Sequence, residues 1–118
     1  MKMLAVGLNH RTAPLEVREQ LAFTKEELQQ GLLALRAAHG EGVILSTCNR
    51  TEVYTSASNL TQGRQAVVQF LADVRGVSPQ ELEPYLYTLN HLEAVRHLFR
   101  VAAGLDSMIV GEPQILGQ

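Results

Sequence analysis

The sequence predicts an α+β domain in which an antiparallel sheet of about four strands is covered on one face by helices. Three observations carry this expectation. Apolar or β-branched runs alternate with cap-initiated amphipathic stretches in the order β, α, β, β, α, β, α. Two of the strand-like runs, Val43 to Leu45 and Glu52 to Ser56, follow one another with only a polar motif between them, as in a hairpin. The chain has 118 residues, enough for one core without disulfide or metal staples.

Met3 to Leu8 is the first strand, and Gly7 to Pro14 turns it into a polar loop from which Pro14, Leu15, Val17, Arg18 and Leu21 lead a short helix. His10 and Arg11 stand at the strand's end, where functional groups collect; a solvated loop is the alternative. Thr24-Lys25-Glu26-Glu27 forms a capping box opening a helix with Leu28, Leu32 and Leu35 as its apolar stripe and Gly40 as its left-handed stop. After the two central strands, Thr61 opens a helix with Ala66, Val67, Phe70, Leu71 and Val74 inward, and Gly76 ends it. Ser78-Pro79-Gln80-Glu81 is a second capping box before a strand from Tyr85 to Leu89. Asn90 is read as the cap of a helix burying Leu92, Val95, Leu98, Phe99 and Ala102. That assignment leaves His97 on the outer side with Glu93, Arg96 and Arg100, and puts the Glu93 carboxylate one turn away from the imidazole. Residues 1–111 are thus one domain of ferredoxin-like βαββαβ plan with an added C-terminal helix. Pro113 opens a further helix over 112–118 that is still running at Gln118, the pattern of a piece of a longer protein. The ferredoxin-like plan hosts many activities and does not by itself give a function.

Composition excludes several classes. Net charge is −2, so the surface is not a general phosphate binder. Trp is absent and there are three Tyr and three Phe, too few for a base-stacking platform. A single Cys forms no internal disulfide and no Cys-rich zinc site, and the four His lie too far apart to offer a haem or metal spacing. No run is long and apolar enough to span a membrane, and the N-terminus reads as a strand rather than a signal peptide. A soluble cytoplasmic protein is expected.

Ser46-Thr47-Cys48-Asn49-Arg50-Thr51-Glu52 puts thiol, hydroxyls, amide, guanidinium and carboxylate within seven residues, more polar chemistry than a link between strands needs. Cys48 is either a nucleophile or a packed thiol, since free Cys is often buried. Arg50, two residues on, leaves the same face as Cys48 if the backbone is extended, and its planar fork suits a substrate carboxylate.

Three segments together resemble the signatures of the glutamyl-tRNA reductases: Gly7 to Pro14, Ser46 to Glu52, and Gly104 to Gly117, in that order. The resemblance implies the catalytic, glutamate-recognising domain of an NADPH-dependent oxidoreductase. Its reaction converts glutamyl-tRNA to glutamate-1-semialdehyde, the entry to tetrapyrrole and porphyrin biosynthesis. Cys48 would attack the aminoacyl ester to give a thioester, and His97 matches the family's histidine important for activity, as base or hydrogen-bonding group. The substrate site would comprise Thr47, Asn49, Arg50, Ser107, Glu112, Pro113, Gln114 and Gln118. The family continues into a linker helix, an NADPH-binding domain and a dimerisation domain; none of these is in this sequence, which has no GxGxxG motif, so reduction by this chain alone is not expected. A homodimer and hand-over of the product to the next enzyme of the pathway are expected of the whole protein. The competing reading is a non-catalytic ferredoxin-like binding or regulatory module with a structural cysteine.

Overall fold

A computed structural model describes residues 2–104. Four strands, β1 (Lys2–Asn9), β2 (Val43–Ser46), β3 (Arg50–Ala57) and β4 (Tyr87–Asn90), form one antiparallel sheet in the order β2-β3-β1-β4. The helices are α1 (Leu15–Leu21), α2 (Lys25–His39), α3 (Leu60–Arg75), the single turn α4 (Pro79–Leu82) and α5 (Leu92–Ala102). This is the expected α+β, ferredoxin-like arrangement. Among the described residues, no helix is long and apolar enough to cross a membrane.

Alternation along β1 divides the sheet into two faces. Leu4, Val6 and Leu8 point to one face and join Val53, Ile44, Leu21, Leu35, Val67, Val68 and Leu71 in the main core under α1 to α3. Ala5 points to the other, with Tyr54 and Ala94 as a second, smaller cluster that α5 covers. The capping box of α2 forms as expected, with the Glu27 amide donating to Thr24 Oγ1 (3.2 Å) and the Thr24 amide to Glu27 Oε1 (2.9 Å). Gly76 ends α3 at φ 67°, in the left-handed region that costs glycine least.

The structure differs from the sequence expectation in three places besides α5. α3 starts at Leu60 rather than Thr61 and is capped by Asn59, whose Oδ1 accepts the Gln62 amide at 2.9 Å. Gly63 then comes so close to the sheet that a Cβ there would lie 2.6 Å from Ala57 Cβ. Seated this way, α3 buries Val68 and leaves Ala66 exposed. In the third, Pro84 lies in a 3₁₀ turn over Glu83–Tyr85, which delays β4 to Tyr87. The Arg64 guanidinium closes that corner, donating to Thr88 Oγ1 (2.9 Å) and to both oxygens of Glu83 (2.6 and 3.1 Å).

The β4–α5 joint is not capped as expected. Asn90 is the last residue of β4, and His91 occupies the cap at φ 55° without a side-chain capping bond. Its amide donates to the Met3 carbonyl at 2.8 Å, so the sheet ladder sets this turn rather than a cap. From there α5 runs back over β1 and β4 toward the end of the sheet where β1 meets Arg50.

Candidate functional site

Strands β2 and β3 pair with Ser46 opposite Thr51, and the Thr47 amide donates to the Arg50 carbonyl at 2.8 Å. Thr47, Cys48 and Asn49 therefore form the tip of a hairpin. The Thr47 hydroxyl takes the Asn49 amide at 3.1 Å, a local bond that fixes the tip and turns Cys48 outward as an exposed free thiol. Helix α1 and the residues after it brace the hairpin from below. The Phe23 amide donates to Ser46 Oγ (3.0 Å), Thr51 Oγ1 to the Leu21 carbonyl (3.4 Å), and Arg18 Nη1 to the Cys48 carbonyl (3.3 Å).

The other half of the arrangement lies on the α5 face. Arg50, Glu52 and Tyr54 alternate onto this face of β3, and the register sets Glu52 opposite Gly7 of β1, which is itself opposite Tyr87 of β4. Gly7 is required there: a Cβ would sit 2.8 Å from Glu52 Cγ and 2.5 Å from the Thr51 carbonyl oxygen. Without that atom, the Glu52 side chain lies across β1, fully buried. Tyr54 donates its hydroxyl to Glu52 Oε1 at 2.9 Å. Around Oε2 gather Arg50 Nη1 at 3.3 Å, the Tyr87 hydroxyl and His97 Nε2 from α5. The Tyr87 ring also meets the His97 ring edge-on, centroids 5.8 Å apart. One carboxylate thus joins β3, β4 and α5.

The charges explain why the cluster tolerates burial. Arg50 and Glu52 form an ion pair whose side chains are 2% and 0% exposed, and the remaining carboxylate lone pairs accept phenol protons. Burial raises the pKa of both Tyr54 and Tyr87 far above the ordinary phenol value, and the negative charge of Glu52 adds to the shift. Both phenols therefore stay protonated and serve as donors.

His97 is placed opposite to expectation. Leu92 and Phe99, read as inward, are 68% and 71% exposed, whereas Ala94 and Val101 are buried and the His97 side chain is only 12% exposed. The carboxylate at its ring is Glu52, 45 residues away, not the one-turn neighbour Glu93. Apolar periodicity misplaced the helix because the face it covers holds a buried carboxylate that needs a polar partner. The extended backbone on which the shared face of Cys48 and Arg50 depended is also absent, since Cys48 and Asn49 lie in the turn and Arg50 begins β3. Arg50 is buried and bonded to Glu52 rather than open to solvent.

Thr47 and Asn49 flank Cys48 in the tip, Asn49 itself being buried. Asn9 pairs with Arg50, so His10 and Arg11 fall at the same end of the sheet as Cys48; the Asn9 side chain holds their loop by accepting the Arg11 (2.9 Å) and Thr12 (3.2 Å) amides. Ser107, Glu112, Pro113, Gln114 and Gln118 lie outside the described residues, as does the expected helix over 112–118. Arg18, Glu52 and Tyr87 went unread as site residues. Glu52 had a signal, two opposite charges and a tyrosine at alternate strand positions; Arg18 and Tyr87 had none, being 30 residues from Cys48 and 35 from Glu52.

A thiol presented at a hairpin tip, above a sheet whose second face holds an Arg–Glu–His cluster, defines an α+β domain of the thiol-bearing, ferredoxin-like kind. Comparison with known proteins makes this specific. The family model described as glutamyl-tRNAGlu reductase, N-terminal domain, matches residues 6–118. A glutamyl-tRNA reductase of Geobacter metallireducens is 50% identical over the whole chain, and one of Neisseria gonorrhoeae 52%; in each case the chain spans 28% of the relative's length. The solved structure of glutamyl-tRNA reductase from Methanopyrus kandleri superposes with a TM-score of 0.66 at 35% identity, over 98% of this chain and 26% of that one. The chain belongs to the glutamyl-tRNA reductase N-terminal domain family.

Proposed function

We propose that this chain supplies the nucleophile and the glutamate-recognising part of an enzyme that reduces glutamyl-tRNA to glutamate-1-semialdehyde with NADPH, in tetrapyrrole biosynthesis. The observation that carries the reading is the exposed Cys48 thiol at a braced hairpin tip, at the sheet end toward which α5 carries His97. The Cys48 sulfur attacks the ester carbonyl of the glutamyl group, a C–S bond forms, the C–O bond to the tRNA ribose breaks, and the ribose oxygen takes a proton. A thiol suits this step because it is intrinsically nucleophilic and its ionised form is accessible at neutral pH. Thr47, Asn49 and Arg50 are assigned to substrate binding, and the family resemblance adds Ser107, Glu112, Pro113, Gln114 and Gln118 to that role. Arg50 is the best suited to the glutamyl carboxylate, provided that it exchanges part of its bonding to Glu52 for the substrate.

NADPH does not fit the described residues. The Rossmann-type dinucleotide site uses a glycine-rich turn between a strand and a helix, and the three strand-to-helix joints among the described residues, at 10–14, 58–59 and 91, contain no glycine. The cofactor is therefore assigned to the remaining length of the whole protein, together with dimerisation and transfer of the aldehyde to the next enzyme. The chain alone is expected to cleave glutamyl-tRNA through the thioester, with water as final acceptor, and to reduce nothing. Incubation with charged glutamyl-tRNA followed by mass spectrometry should place a glutamyl adduct on Cys48. Undiminished ester cleavage by a Cys48→Ser protein would overturn the reading.

A further inference from the structure

We propose that Arg18 is a positioning residue for acyl transfer: from α1 it holds the peptide between Cys48 and Asn49 and so aims the Cys48 thiol. The reaction it serves rests on the function proposed above; its hold on the peptide does not. Of the three bonds that reach the hairpin from α1 and the residues after it, two end on Ser46 and Thr51, the last pair in register between β2 and β3. The third passes beyond that pair, where Arg18 Nη1 donates to the Cys48 carbonyl at 3.3 Å. The Cys48 carbonyl and the Asn49 amide belong to one planar peptide unit. Its amide end donates to Thr47 Oγ1 at 3.1 Å, so the unit is held at both ends, by the tip itself on one side and by Arg18 on the other. Arg18 is fixed in turn by its helix, its amide donating to the Pro14 carbonyl (3.1 Å) and its carbonyl accepting the Ala22 amide (2.9 Å). It keeps the contact although its Nε is buried without an acceptor among the described residues, a loss of stability of the kind that functional sites tolerate.

The consequence lies in where the sulfur points. The Thr47 amide is tied to the Arg50 carbonyl at 2.8 Å, so with the next peptide also held little backbone rotation is left at Cys48, and the direction of its Cα–Cβ bond is set. Rotation about χ1 then moves the sulfur among staggered positions only. Attack on the ester carbonyl needs the reacting atoms about 3–3.5 Å apart and aligned. A thiol on a loose tip reaches that geometry rarely, whereas one on a held tip starts close to it. Arg18 acts through the backbone of Cys48 and not on the sulfur or the substrate.

Nitrogen-15 relaxation of the chain, together with single-turnover acyl transfer from charged glutamyl-tRNA to Cys48, tests this. The Asn49 amide reports on the held peptide and is expected to be rigid, with an order parameter near ~0.85; a value below about 0.6 would overturn the proposal without any variant having to fold. In Arg18→Met that order parameter should fall while the other amides keep their native pattern. The acyl-transfer rate constant at saturating glutamyl-tRNA should fall on the order of 10- to 100-fold, with the half-saturating concentration nearly unchanged. An undiminished rate constant in folded Arg18→Met, a lost rate with a still rigid Asn49 amide, or a loss confined to the half-saturating concentration would each contradict it. Alkylation of Cys48 by iodoacetamide separates aim from reactivity, since a small reagent can approach the exposed thiol from many sides. Its rate should be nearly unchanged in Arg18→Met, and a fall equal to that in acyl transfer would also sink the proposal. Persistent ester cleavage by Cys48→Ser would refute the thioester reading and leave the hold of Arg18 on the peptide standing.

Discussion

On the face of the sheet that receives α1 to α3, Leu4, Val6, Leu8 and Val53 disappear under Leu21, Leu35, Val67 and Leu71. On the opposite face, Ala5 and Tyr54 pack with Ala94 beside a carboxylate shared by Arg50, Tyr54, Tyr87 and His97. The first face is held by removal of apolar area from water, worth about 1.5–3 kcal/mol for each large side chain, and needs no particular pairing. The second has a smaller apolar cluster and a buried carboxylate that needs its donors. That face is correspondingly less forgiving, and it is the one that joins the Cys48 hairpin to α5.

Removing one partner from each face should separate the two mechanisms. Arg50→Met strands the Glu52 charge and is expected to cost about 3–5 kcal/mol, while Leu71→Ala on the first face should cost about 2–5 kcal/mol through a cavity. Urea denaturation gives both losses, and the His97 nitrogen spectrum tells them apart. Arg50→Met should change it and Leu71→Ala should not; an altered His97 in Leu71→Ala would mean the two faces are not independent.

A smaller effect is expected from Gly7→Ala, which adds one methyl between β1 and Glu52. The contacts of 2.8 Å to Glu52 Cγ and 2.5 Å to the Thr51 oxygen must open, at about 1–3 kcal/mol by analogy with overpacked cores. A crystal structure of the variant should show Glu52 displaced from Tyr87, and an unmoved Glu52 with native stability would contradict the close-approach account.

The mildest perturbation is pH, and the two faces should respond at opposite ends of the scale. Glu27, at the start of α2, has its pKa lowered to about 2, first by the Thr24 amide and then by Arg75, whose Nη1 lies 2.9 Å from Oε2. A depressed carboxylate pKa gives stability that is present above the ordinary value and lost as pH falls toward 2. Tyr54 and Tyr87 have raised values, so their contribution is present below the ordinary phenol range near ~10 and lost as pH climbs above it. Glu27→Gln should flatten the acid limb of the stability curve and leave the alkaline limb unchanged. Ultraviolet titration should show the phenolates of Tyr54 and Tyr87 emerging together with loss of near-ultraviolet circular dichroism, and ionisation without unfolding would argue against their tight hold on Glu52.

Much of the fold was legible because it rests on local chemistry. The Thr24–Glu27 capping box, the left-handed Gly76 and the adjacent strands around Ser46 to Glu52 are interactions within a few residues, and each appears as read. Errors fell where a distant residue decides the outcome. Ala66 was traded for Val68 because Gly63 seats α3 against Ala57 and Leu4. Asn90 was consumed by β4, so the cap passed to His91. In the site, Cys48 could be singled out from its own motif, whereas its brace Arg18 could not be found from any local signal.

By itself the sequence determined the α+β class, the hairpin with Cys48 near its tip, and membership of a family whose signature segments are contiguous in the chain. Only the tertiary structure decided which side of α5 faces inward. Periodicity assigns a helix to an apolar surface, and in α5 it pointed to Leu92 and Phe99. The sheet beneath instead offers the buried carboxylate of Glu52, already met by Arg50, Tyr54 and Tyr87, and a polar partner from α5 is preferred beside it over Leu92 and Phe99, which stay exposed. That preference turns His97 inward, onto the carboxylate of the motif that bears Cys48.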